Sequence, residues 1–104
     1  MSQHQDEVEV FLPMKSFPNY YISNHGNIVN NKLGYDIHVP LRLNKYGCPI
    51  VELINKKNNK KIVLVHRLVA MHFVPKNANN IDSQEVDFID KNKLNHRATN
   101  LKWV

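Results

Sequence analysis

The sequence predicts an α+β fold, a short antiparallel β-meander with a central helix. Two observations carry this reading. Between Phe11 and Val65, short runs of β-branched and aromatic residues are punctuated by Asn, Gly, Pro and Lys clusters, the signature of hairpins. The period then changes in "VHRLVAMHFVP", where Leu68, Val69, His72 and Phe73 fall at i, i+1, i+4 and i+5 and the stripe stops before Pro75, as an amphipathic helix does. A length of 104 residues supports one domain with a small core.

In chain order, residues 1–10, "MSQHQDEVEV", show little period and read as a flexible tail. The runs "YYIS" and "NIVN" flank "NHG" and predict a hairpin whose turn takes its positive φ from Gly26. "VPLRLN", "CPIVELIN" and "KIVLV" follow, separated by "KYG" and "KKNNKK". They predict two or three further antiparallel strands, with Ile50, Leu53 and Ile54 as an imperfect apolar alternation. After the helix, "KNANNIDSQ" reads as a loop and "EVDFID" as a strand. "KNKLNH" is a second loop, "RATN" at most a helical turn, and "LKWV" a last short strand.

Charge narrows the class of partner. The net charge is +5, and from Lys15 to Lys76 ten Lys/Arg face only Asp36 and Glu52. That excess favours an anionic partner, most simply nucleic acid. The candidate contacts are Lys45, Lys56, Lys57, Lys60 and Lys61 on the turns, with Arg42 and Arg67 on flanking elements. Four lysines within the six residues 56–61 supply the clustering and reach that phosphate contacts need. Tyr20, Tyr21 and Tyr46 either stack on bases or pack as strand residues. Cys48 is the single cysteine, which excludes an internal disulfide and a CxxC zinc site. No signal peptide and no long apolar run is present, so the chain reads as soluble and intracellular, without membrane attachment. The fifteen asparagines suit turns, or reflect coding bias.

Two stretches resemble the HNH homing endonucleases that carry a NUMOD-type module ahead of the nuclease site. "FPNYYISNHGNIVN" is similar to that module's pattern through Tyr20, Ile22, Ser23, Asn24, Gly26 and Ile28. "VHRLVAMHFVP", followed by "VDFIDKNKLNHRATNLKWV", resembles the family run Val-His-Arg-Leu-Val-Ala, then Asp-His-Ile-Asp-Gly, then Asn-Leu-x-Trp-Val. The likeness covers residues 11–104. It implies a NUMOD-like basic β module over 11–65 and, over 66–104, an incomplete ββα-metal motif without its C-terminal helix. It also implies double-stranded DNA as partner and, if the site is active, Mg²⁺ or another divalent cation. A protein partner or an oligomer is left open.

The resemblance assigns Asp87 to the metal-binding carboxylate and Asn100 to the asparagine that orients the catalytic histidine. Asp90, Asn92 and Asn95 match the loop that shapes the turn. Phe88 stands where that histidine belongs, and a benzyl ring accepts no proton. Loss of a general base costs about 10²–10⁴-fold in rate. Lys91 replaces the usual loop glycine. His66 and His96 are candidate substitute bases, with His66 otherwise a helix-start residue that hydrogen-bonds the fold, and His25 a solvent or phosphate contact. Phe88 is expected to pack on Trp103 or Leu101. The leading expectation is a DNA-binding protein derived from such an enzyme, with little or no nuclease activity. The alternatives are an active divalent-metal endonuclease, or a recruited basic subunit of a nucleoprotein assembly.

Overall fold

Residues 8–104 are described by a computed structural model, in which three small antiparallel sheets surround one helix. The first sheet runs in chain order through β1 (Phe11–Pro13), β2 (Tyr20–Ser23), β3 (Ile28–Asn30) and β4 (Ile37–His38). The second holds β5 (Arg42–Leu43), β6 (Pro49–Ile54) and β7 (Lys60–Leu64). Helix α1 (Val65–Phe73) follows without a linker, and β8 (Val86–Phe88) pairs with β9 (Leu101–Trp103) after a 3₁₀ turn at Ala98–Asn100.

The predicted hairpin is β2–β3, and its turn shows why "SNHG" is written there. The Gly26 N–H donates to the Ser23 carbonyl at 2.9 Å, with φ at +88°, where a side chain is strained. Ser23 is fully buried, and its hydroxyl accepts the N–H groups of His25 and Asn27. Asn24 reaches the other way: its Oδ1 accepts from the Val10 N–H at 2.8 Å, and its Nδ2 donates to the Val8 carbonyl. Of the expected tail, residues 1–7 lie outside the described residues. Residues 8–10 are held by Asn24, because a short amide side chain satisfies two backbone groups at once.

Helix α1 is the centre of the core. Val65, Val69 and Ala70 are fully buried and Leu68 nearly so, and the helix packs on β2, β6, β7, β8 and β9. Truncating a core leucine such as Leu68 to alanine costs about 2–5 kcal/mol in cores of this kind. In β6 the buried alternation is Val51 and Leu53, whereas Ile54 points outward. The Ile54 N–H instead donates to the Tyr20 hydroxyl, so Tyr20 is a core residue with its polar tip satisfied. Trp103 ties the last strand to the helix end: its indole N–H donates to the Val74 carbonyl at 2.8 Å, and the Lys76 ammonium lies 4.2 Å from its ring centre. His72 is fixed as well. Its Nε2 accepts the Lys15 N–H, so its Nδ1 is the donor to the Leu68 carbonyl.

Many of the asparagines have a structural use. Asn44, Asn55 and Asn92 each turn their Oδ1 back to accept backbone N–H groups two or four residues on, closing turns that would otherwise leave those donors unpaired. Among the described residues, no helix is long and apolar enough to cross a membrane.

Candidate nuclease site and basic face

The β8–β9 pair, its connecting loop and the start of α1 bring the predicted site residues together. Asn100 organises the loop. It is 6% exposed, and its Nδ2 donates to Asp90 Oδ1 at 2.9 Å and to the Asn95 carbonyl at 2.8 Å. Its Oδ1 accepts the Asp90 N–H, and its backbone carbonyl accepts the Ile89 N–H at 2.7 Å. The whole amide is therefore spent on the turn. Asp90 in turn accepts from Asn95, then from the Asn92 N–H and Asn100, and these bonds hold its carboxyl below the usual range.

Phe88 is 7% exposed and pairs across the sheet with Leu101. Its ring lies 4.7 Å from the His66 ring, tilted by 52°, an aromatic contact within the ordinary range. The expected neighbour Leu101 is present, and His66 is the neighbour that the sequence did not foretell. Helix position 66 and strand position 88 are brought together only by the packing of α1 on β8. The expected hydrogen bond from His66 is not made at Nδ1, which is buried and has no partner. Burial, then the charges of Arg67 and His96, push its pKa down against the pull of Glu85, so the imidazole is neutral at pH 7. His96 lies elsewhere, against Gly26: a Cβ on that glycine would fall 1.9 Å from His96 Nδ1. The hairpin and the site loop are thus fitted to each other, an interlock reinforced by the Ala98 N–H donating to the Asn24 carbonyl.

Asp87 stands at the edge of this cluster with its side chain 41% exposed. Its Oδ1 accepts the Phe88 N–H at 2.9 Å, and its Oδ2 accepts from the Lys91 ammonium at 3.2 Å. Those two contacts, Lys91 first, hold its carboxyl below the usual range, with Lys102 across the β8–β9 pair adding to the effect. Mg²⁺ is usually held by one or two carboxylates together with water and substrate phosphate oxygens. Among the described residues, no group of three or more His, Cys, Asp or Glu side chains converges, and the one carboxylate in position already faces an ammonium. With Lys91 in place, the site does not fit a divalent ion, because an ammonium already stands at the one oxygen of Asp87 left open by the Phe88 N–H.

Four of the candidate basic residues gather at one turn. Lys56, Lys57, Lys60 and Lys61 are exposed around the β6–β7 turn, which Asn55 closes and where Asn58 takes a φ of 67°. Lys60 is partly neutralised by Glu52 at 3.8 Å. An open cleft of about 240 Å³ lies beside the turn, lined by Asn19, Asn30, Lys32, Asn55, Lys56 and Asn58. Lys32 and these asparagines were not picked out in the sequence, because they come from separate turns. Arg42 and Lys45 are exposed, with the Lys45 ammonium 5.2 Å from the exposed Tyr46 ring. Arg67 is half-buried on α1, next in sequence to His66.

No family model matches the chain. Individual proteins do. The chain is 40% identical over 88 residues to the uncharacterized HNH endonuclease L245 of Acanthamoeba polyphaga mimivirus, covering 85% of this chain and 24% of that protein. It is 34% identical over 96 residues to the H-N-H endonuclease F-TflII of Escherichia phage T5, covering 91% of this chain and 47% of that one. A solved structure of DNA binding and cleavage by the HNH homing endonuclease I-HmuI superposes with a TM-score of 0.74 at 31% identity, over 91% of this chain and 52% of that one. The chain thus spans between a quarter and about half the length of the proteins it matches. By sequence and by fold together, it belongs to the HNH homing endonuclease family.

Proposed function

We propose that this chain is a double-stranded DNA-binding protein of HNH descent with little or no nuclease activity. The observation that carries the reading is at position 88. A hydrolytic centre of this type needs a group that takes a proton from water, and Phe88 is instead buried against His66. Asp87 is paired with Lys91, so a metal ion would have to compete with an ammonium for that carboxylate. DNA binding is supported by the clustered lysines of the β6–β7 turn and by the amide-rich cleft beside them. Lysines neutralise backbone phosphates, and asparagine amides pair with the edge of adenine. The segment 11–65 acts as a NUMOD-type module in this reading.

The test of binding is a salt titration of duplex DNA retardation. Affinity falls steeply between about 50 and 200 mM salt if lysine–phosphate contacts carry it. An affinity that scarcely changes over that range sinks the proposal. One observation favours a second reading, an active enzyme with His66 as the base. Its Nδ1 is unpartnered and the ring abuts position 88. In that case the chain cleaves DNA with Mg²⁺ or Mn²⁺, and His66→Ala abolishes the cleavage while DNA retardation persists.

A further inference from the structure

We infer that Lys91 has taken the electrostatic place of a divalent ion at Asp87, so that this end of the molecule grips a DNA phosphate with ammonium groups and without metal. The inference rests on the DNA-binding reading above and assigns it a second contact point, remote in sequence from the lysine-rich turn.

Three observations support it. Lys91 has a φ of 65°, a left-handed conformation that glycine tolerates and a lysine does not favour. The side chain therefore stands where the backbone gives it no help. Its ammonium then lies 3.2 Å from Asp87 Oδ2, while Oδ1 is taken by the Phe88 N–H. Finally, Lys102 faces Asp87 directly across the β8–β9 pair. One carboxylate with two ammoniums leaves a local charge of +1 in place of the bare carboxylate that a cation would seek. The Lys91 side chain is 74% exposed, and an ammonium has three N–H donors. The pair with Asp87 uses one, and the remaining donors are open to an anion.

A backbone phosphodiester monoanion of duplex DNA matches that charge and those donors. Magnesium does not: it would have to displace the ammonium and strip its own water to reach a single carboxylate. Phe88 and Lys91 then belong to one change, the first removing the proton acceptor and the second replacing the cation.

The test uses the whole chain with a mixed-sequence duplex, and separately with Mn²⁺ followed by its paramagnetic resonance signal. Glycine accepts the position 91 backbone, so Lys91→Gly folds and serves as the informative variant. The parent is expected to retard DNA equally in EDTA and in Mg²⁺ at matched ionic strength. Lys91→Gly and Lys102→Ala each lower affinity about 3- to 10-fold and flatten the logarithmic salt slope by roughly 0.9, while Lys91→Arg retains binding. Lys91→Gly also gains Mn²⁺ binding that disappears when Asp87→Ala is added. Asp87-dependent Mn²⁺ binding by the parent overturns the inference, as does DNA retardation that requires a divalent ion. Full retardation by both lysine variants overturns this contact alone and leaves the lysine-rich turn as the binding site. Absence of retardation by the parent overturns the DNA-binding reading as well.

Discussion

The β2–β3 hairpin and the β8–β9 site are both loops built on polar side chains turned inward, and they treat those groups differently. In the hairpin, Ser23 and Asn24 satisfy backbone donors and acceptors on both sides of the turn. In the site, Asn100 is used just as fully, yet the groups around it are not all satisfied in the same way. Phe88 is packed, Asp87 is paired with Lys91, and His66 Nδ1 has no partner. The contrast separates two jobs that one motif usually performs together. Asn100 and Asp90 hold the loop in shape whether or not a reaction occurs, because the cost of a buried unpaired amide does not depend on catalysis.

The comparison breaks most visibly at Asn100. Replacing it with alanine removes its three side-chain hydrogen bonds and is expected to destabilise the fold by about 2–4 kcal/mol, read from the denaturant midpoint. A loss below about 1 kcal/mol would show that the loop keeps its shape without the amide.

Gly26→Ala comes next. It strains a φ of +88° and drives a methyl group to 1.9 Å from His96 Nδ1, for an expected cost of about 2–3 kcal/mol. Adding His96→Ala should recover part of it in a double-mutant cycle, and additive losses would mean that hairpin and site loop are independent.

His66, which is buried, and His96, which is half-buried, sharpen the comparison by pH. Their folded pKa values are pushed below 6.5 by burial, so the folded state holds them neutral while the unfolded chain takes up protons first. Their contribution is whole above pH 6.5 and is lost as pH falls from there through the lowered folded values. Thermal unfolding should therefore move to lower temperature on acidification below 6.5, and His66→Gln should flatten that dependence. An unchanged slope in the variant would assign the effect to other groups.

The smallest effect is at the lysine-rich turn. Glu52→Gln releases Lys60 from its pair. A surface pair of this kind is worth about 0–1 kcal/mol, so DNA affinity should rise by less than about fivefold. A fall in affinity would mean that Lys60 does not face the DNA.

Much of this architecture was legible in the sequence because its signals are local. The NHG turn, the lysine–asparagine turn and the change of period at Val65 mark β2, β3, β6, β7 and α1 with little help from tertiary contacts. Strands β1 and β4, of three and two residues, are too short to carry a period and exist only because β2 and β3 offer them edges. The outward turn of Ile54 was hidden for a related reason. Alternation fixes which residues share a face, and packing decides which face is buried. At the site, the residue types at positions 87, 88 and 100 were readable. The contact between His66 and Phe88 was not, since it depends on how α1 docks on β8. Nor was the Asp87–Lys91 pair, which needs a turn carrying a lysine at positive φ.

Nicking of supercoiled plasmid in Mg²⁺ and then Mn²⁺ tests the central claim most directly, with the chain compared to its Phe88→His and Asp87→Ala variants. The account predicts that the parent retards the plasmid and leaves it supercoiled, and that Phe88→His alone restores little cleavage while Lys91 still occupies Asp87. Nicking by the parent that disappears in Asp87→Ala would contradict it and identify a working nuclease with a base other than residue 88.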